Sequence, residues 1–204
     1  MKNLINSNEY GNVIWMRGRY GKSVDQTFFD TWRAKKDLAG GGILLDQGIH
    51  MLDLFLMLGG EFDSVQSDVS NHYWKLDIED NVFAIYKNTK TGMSASLHST
   101  MTQWRHLFSL EVFLEKGYFV LNGLKTSSGA YGDEVLSIAK NRSTTPAATW
   151  EDEERLTFET NNSWESEINH FIDSINNDTQ IQIGNSRDAL SVMRLIEKTY
   201  KNGV

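Results

Sequence analysis

No cysteine occurs among the 204 residues, which removes disulfide frameworks and thiolate zinc sites from consideration. Proline is almost missing too, with Pro146 the one instance. Positive charge is in deficit: 20 Lys and Arg stand against 27 Asp and Glu, a formal net charge of -7. Such a chain has no basic stripe to neutralise phosphates, which excludes nucleic acid as the main partner. The cluster Arg33, Lys35 and Lys36 is too short to reverse that. The opening residues MKNLINSNEYGNV lack the apolar core of a signal peptide. The apolar run from Ile43 to Leu58 is cut by Asp46, His50 and Asp53, and is shorter than a bilayer span requires. The expectation is a soluble, cytoplasmic protein with no membrane partner.

What the chain does contain is organised around Trp32 to Leu58, WRAKKDLAGGGILLDQGIHMLDLFLML. A basic segment leads through Gly40, Gly41 and Gly42 into a long apolar helix carrying few polar residues. At ~100° per residue, Asp46, His50 and Asp53 fall within ~60° of one another on that helix. Leucine, isoleucine and phenylalanine surround this stripe, so burial nearly all round is expected, and a buried carboxylate or imidazole needs a partner. Two readings stand at this point. Either Asp46 and His50 satisfy each other as a structural pair, or the stripe opens onto a cavity where chemistry occurs.

Before this stretch, Leu4 and Ile5 read as the frayed end of a helix that began earlier, which suggests a piece of something longer. Val13 to Tyr20 is a strand, and Gly21 to Lys36 a charged loop. After it come strands at Phe62 to Trp74, Asn81 to Tyr86, Met93 to Met101, Leu107 to Leu114, Tyr118 to Leu121, Glu134 to Ala139 and Arg155 to Phe158. Thr126 to Gly132 is a Ser/Gly loop. Two helices close the chain, one capped by Asn162 and one started by Gly184-Asn185-Ser186.

Strands joined by tight turns are antiparallel, so this order predicts an α+β fold: a large, predominantly antiparallel open sheet with helices packed on one face. No linker or repeat divides residues 1–204, and a single domain is expected. The second sheet face needs a cover, for which Trp15, Trp74, Trp104, Trp150, Phe83, Phe108, Phe113 and Phe119 are available. A second copy packed there, as a homodimer or tetramer, is the expected one.

Taken together, Trp32-Arg33, the GGGILLDQGIHMLDL of Gly40 to Leu54, the IEDN of Ile78 to Asn81 and the late DALSVMRLIEKTY resemble the Gfo/Idh/MocA oxidoreductases. Members of that family join an amino-terminal Rossmann domain, which binds NAD or NADP, to a carboxy-terminal sheet domain. The likeness covers the second half only. A dinucleotide fold needs a strand, a spaced glycine fingerprint and a following acidic residue. Gly40-Gly41-Gly42 follows WRAKKDLA and lacks the third spaced glycine, while Gly129 and Gly132 fit no better. The family's Glu-Lys-Pro signature is also missing, since Pro146 follows Thr145. This chain alone is therefore expected to bind no dinucleotide and to depend on a missing Rossmann domain, in cis or in trans.

The resemblance implies a sugar, cyclitol or nucleotide-sugar substrate, with His50 and Asp46 as catalytic residues. Histidine suits the removal of a hydroxyl proton because its pKa lies near working pH, and Asp46 could orient the ring. Arg33, Lys22 and Arg17 are candidate substrate-binding cations, with Arg19 beside them. Gly41 and Gly42 are candidates for close approach of a cofactor, against a packing role. Asp53 reads as structural. Asp46 and His50 could supply two metal ligands with His98 or His72 as a third, but no spacing indicates the third, and no metal is expected. The alternative function is a stand-alone carbohydrate-binding or assembly module.

Overall fold

The structure is a computed structural model and describes residues 1–140 and 149–203. The segment around Pro146 lies outside them. Eight strands form one open sheet: β1 Val13–Ser23, β2 Ser64–Ser70, β3 Asn81–Lys87, β4 Ser94–Thr100, β5 Thr102–Leu114, β6 Gly117–Asn122, β7 Glu134–Lys140 and β8 Glu154–Phe158. Their order across the sheet is β2-β3-β4-β1-β5-β6-β7-β8. Neighbours are antiparallel except β1 and β4, which run parallel from Trp15↔Ser94 to Gly21↔Thr100. A parallel pair demands a long crossover. The central helix and the β2–β3 hairpin supply it.

The helices are α1 Lys2–Asn6, α2 Lys36–Ala39, α3 Ile49–Gly59, α4 Ser163–Asn176 and α5 Ser186–Lys201. Between α2 and α3 the chain passes through a π-helical stretch, Leu44–Gly48. The helix α3 drives Met51, Leu52, Phe55 and Leu58 into the core. It lies so close on β1 that a Cβ at Gly18 would sit 2.4 Å from Met51 and 2.8 Å from Phe55. Counted through its irregular turns, Lys36–Gly59 is 24 residues, long and apolar enough by length and composition to cross a membrane. That stretch is longer than the Ile43 to Leu58 run read from the sequence. In this fold its apolar face is spent on the sheet instead.

The last helix, α5, is started by Asn185, whose side chain accepts from Arg187 and Asp188 N–H while Asp188 reciprocates. It buries Val192, Leu195, Ile196 and Thr199, and Thr199 meets the fully buried Tyr86 hydroxyl at 3.0 Å. The stripe of α4 is different. Trp164, Ile168, Phe171 and Ile175 recur at helical spacing, yet they lie exposed, with Trp164 at 77%. Asn162 holds the cap position without a side-chain bond; Asn161 accepts from Ser163 N–H instead.

Side chains alternate across each strand. The helix-side face carries Met16, Val82, Ala84, Leu110, Val112 and Phe119 in the core. On the other face Phe83 and Ile85 are about half exposed among the described residues. There Trp15 stacks on Phe113 at 4.1 Å, Phe113 on Tyr118 at 5.0 Å, and Phe83 on His98 at 3.9 Å. Of the aromatics expected to cover this face, Phe108 and Phe119 turn into the core.

Candidate functional site

The site begins at a clamp. Glu79, buried at the start of β3, accepts from Gly42 N–H at 2.8 Å, Leu44 N–H at 3.0 Å and the Tyr200 hydroxyl at 2.8 Å. Its own carbonyl accepts from Ile43 N–H at 3.1 Å. A helix start leaves several N–H groups without partners, and Glu79 answers two of them. Asp80 beside it accepts from Tyr73 at 2.9 Å and Trp74 at 2.8 Å. The IEDN segment is thus a pair of backbone clamps: Glu79 fixes where the central helix starts, and Asp80 fixes the loop at Tyr73 and Trp74.

For Gly41 and Gly42 the same geometry favours the packing role over close approach of a cofactor. Both are buried, and a Cβ at Gly42 would stand 2.0 Å from the Glu79 carbonyl oxygen. A Cβ at Gly41 would stand 2.4 Å from the Tyr200 hydroxyl. Packing inside the chain, rather than room for a cofactor, accounts for these glycines.

From the clamp the π turn carries Asp46 to the helix-side end of β1. Its carboxylate is 27% exposed and bridges two cations, Lys22 Nζ on one oxygen and Arg33 Nε on the other at 3.3 Å. Lys22 is 11% exposed and lies 4.6 Å over the Phe28 ring, while Arg33 stacks on Trp32 at 4.5 Å. Asp46 was expected to pair with His50. It pairs with Lys22 and Arg33 because the π stretch turns it differently from an α-helix and brings two full charges within reach.

His50, one turn on, is exposed rather than buried. It makes no hydrogen bond or ion pair among the described residues; its ring lies 6.1 Å from that of Tyr20. Asp53 is exposed as well. Desolvation and the nearby Asp188 charge push its carboxyl above the usual range, and His50 pulls it back.

Tyr20 links the parts. It shares the helix-side face of β1 with Lys22 and packs against Phe108 at 5.1 Å and Tyr131 at 5.6 Å. Tyr131 comes from the Ser/Gly loop and stands 5.0 Å from His106 on β5. Burial pushes both phenols above the ordinary tyrosine range, so each keeps its proton at working pH. Desolvation, then the Lys22 charge, holds His106 below the ordinary histidine value.

Lys22, Arg33, Asp46 and His50 are therefore gathered around Tyr20. Arg17 is not. It points from the opposite sheet face and forks onto Glu111 at 2.8 Å, because residues of odd number on β1 face away from Tyr20 and Lys22. His98 is on that far face too, bonded to Asn81 at 3.0 Å, and His72 lies beyond β2, so neither completes a metal set with Asp46 and His50. Among the described residues no group of three or more potential ligands comes together. The sequence reading missed Tyr20, Gln47, His106 and Tyr131. Tyr20 was legible at two residues from Lys22 on one strand face; Tyr131 had no signal beyond being the one large side chain in its loop.

The assembly is a floor more than a cleft. A cavity of about 700 Å³ lies between α4 and the start of α5, and one of about 570 Å³ lies on the open sheet face; neither is lined by Asp46 or His50. A carboxylate fixed by two cations and a free imidazole at one rim can hold a hydroxylic ligand and exchange a proton with it. A nicotinamide dinucleotide does not fit. The described residues form no strand–glycine loop–helix cradle, and Gly41 and Gly42 face Tyr200 and Glu79.

Comparison with known proteins bears on the rest. A family described as the GFO/IDH/MocA C-terminal domain matches residues 1–120, more than half of the chain. No curated protein matches. Among solved structures, levoglucosan dehydrogenase in complex with NADH is 18% identical with a TM-score of 0.79, covering 98% of this chain and 59% of that one. The aldose-aldose oxidoreductase of Caulobacter crescentus, complexed with glycerol, is 19% identical at 0.78, covering 98% and 56%. The WlbA dehydrogenase of Bordetella pertussis, in complex with NADH and UDP-GlcNAcA, is 19% identical at 0.74, again covering 98% and 56%. This chain spans less than two thirds of each of them. Sequence match and fold agree: the chain belongs to the GFO/IDH/MocA family, as that family's C-terminal domain.

Proposed function

We propose that this chain is the substrate-binding and oligomerising half of a NAD(P)-dependent oxidoreductase acting on a hydroxyl of a sugar, cyclitol or nucleotide-sugar. One observation carries the reading: Asp46, held by Lys22 and Arg33, and the unpaired His50 flank Tyr20 on a surface open on one side. His50 takes the hydroxyl proton as the alcohol is oxidised, and Asp46 keeps two cations at the site rather than orienting the imidazole directly. Lys22 and Arg33 receive the more electron-rich end of the substrate. Structural relatives that hold levoglucosan or UDP-GlcNAcA support a sugar or nucleotide-sugar.

The dinucleotide belongs to a separate half, in cis or in trans, which closes the open side. The exposed stripe of α4 supports this, since a row of Trp164, Ile168, Phe171 and Ile175 is rarely left in water. The sheet face away from the helices, where Phe83 and Ile85 are about half exposed, is where a second copy sits. A cytoplasmic location is proposed with it.

Calorimetric titration of NADH into the 204-residue chain tests the division of labour. No saturable heat is expected from the chain alone, and binding is expected once a dinucleotide-binding half is present. Saturable NADH binding by the chain by itself would contradict the proposal. Tight sugar binding with turnover indifferent to His50 would favour a stand-alone binding module.

A further inference from the structure

The strand register lays four side chains out in one row on the sheet face away from the helices. Asp68 on β2 pairs with Phe83 on β3, Phe83 with His98 on β4, and His98 with Arg19 on β1. Directly paired residues share a face. The row therefore runs acid, ring, ring, base, with Phe83 stacked on His98 in the middle at 3.9 Å. At ~4.8 Å between strands its two ends stand about 14 Å apart, too far to pair with each other. Neither end has another partner. The side chains of Asp68 and Arg19 are exposed and make no hydrogen bond or ion pair among the described residues.

The next row along the strands is Gln66, Ile85, Ser96 and Arg17, with Arg17 spent on Glu111. The two rows line the hollow of about 570 Å³ on this face. Phe83 at 50% and Ile85 at 54% exposed make its middle apolar. An apolar centre with a charged rim is the anatomy of a protein interface. The placing of the charges selects the occupant. An acid and a base set equally far on either side of one line make a surface complementary to itself. A half rotation about a line along the strands, between β3 and β4, lays Asp68 over Arg19 and Phe83 over His98, each contact occurring twice as an isologous interface requires.

We propose that the second copy docks in this register, with Asp68 of each copy paired to the partner's Arg19 and β2 of each copy lying over β1 of the other. The inference rests on the reading that a second copy covers this face, and adds to it the direction of the two-fold axis and the two reciprocal ion pairs. Such an axis keeps the strands of the two sheets nearly aligned, within the roughly 30° at which sheets pack face to face.

The test is sedimentation velocity on the 204-residue chain over a range of concentrations. Arg19→Asp sets acid against acid at both ends, and Asp68→Arg sets base against base. Each variant alone is expected to dimerise at least about a hundredfold more weakly than wild type. Mixed in equal amounts, the two variants carry opposite charges at both ends again, and the dimer is expected to return to within about threefold of the wild-type Kd. In the wild type, raising salt from about 50 to about 500 mM is expected to weaken the dimer about three- to tenfold. That reading needs no substitution, so a variant that fails to fold does not blunt the test. Single variants that dimerise as tightly as wild type, as an axis across the strands would give, would overturn the pairing. So would a mixture of folded variants no tighter than its components, or a wild-type Kd indifferent to salt. Each of those results leaves the second-copy reading to be decided by Ile85→Arg. A wild type monomeric at every concentration would overturn both, and leave this face to a different protein.

Discussion

Gly42 and Glu79 hold the site together from behind. A methyl group at position 42 would meet the Glu79 carbonyl at 2.0 Å, and both atoms belong to backbone that cannot swing away. Gly42→Ala is expected to destabilise the chain by about 1–3 kcal/mol, as overpacking does. Glu79→Gln turns an acceptor-only group into one that points N–H at N–H, with a similar expected loss of about 1–3 kcal/mol. Urea unfolding of the two variants checks both figures; midpoints equal to wild type would mean that the clamp carries no load. Histidine sets the pH dependence at this scale. Burial first, then Arg19, holds His98 below the ordinary histidine value, and burial first, then Lys22, does the same for His106. A histidine unfolded at about 6.5 therefore takes its proton before the folded one does. The unfolded state binds more protons in that window, so stability is full above it and falls as pH drops through about 6.5. Unfolding free energy measured from pH 8 downwards, in wild type and in His98→Asn/His106→Asn, is expected to decline in the first and to flatten in the second.

Elements differ in how far their sequence announced them. Strand β3 alternates so regularly, NVFAIYK, that its bounds at Asn81–Lys87 differ from the expected Asn81 to Tyr86 by one residue. The helix after Gly42 was equally plain from its apolar spacing and its stop at Gly59-Gly60. What stayed hidden was long-range. The parallel pairing of β1 with β4 joins residues some eighty positions apart, and nothing local in either strand encodes it. The π stretch was hidden too, since one widened turn leaves the hydrophobic pattern intact while redirecting Asp46 from His50 to Lys22 and Arg33. Arg17 is the opposite case. Period-two alternation places it on the other face from Lys22, and grouping cations by sequence proximity overlooked that. The candidate site was thus legible as a helix stripe, whereas its strand and loop members, Tyr20, His106 and Tyr131, depend on sheet order.

At the scale of the whole molecule, two surfaces carry exposed apolar side chains among the described residues. The sheet face away from the helices presents Phe83 and Ile85, each about half exposed. A second copy there predicts that Ile85→Arg shifts the chain to monomer in sedimentation velocity while leaving its circular dichroism unchanged; an unaltered sedimentation coefficient would place the copies elsewhere. The second is the exposed stripe of α4, Trp164, Ile168, Phe171 and Ile175, which the proposal assigns to the dinucleotide-binding half. The central claim is that His50 is the proton acceptor facing that half. Its most direct test is steady-state oxidation of levoglucosan and UDP-sugars by the enzyme containing this domain, wild type against His50→Ala. The account predicts a fall in kcat of about a hundred- to ten-thousandfold with KM little changed; a variant that turns over at the wild-type rate would contradict it.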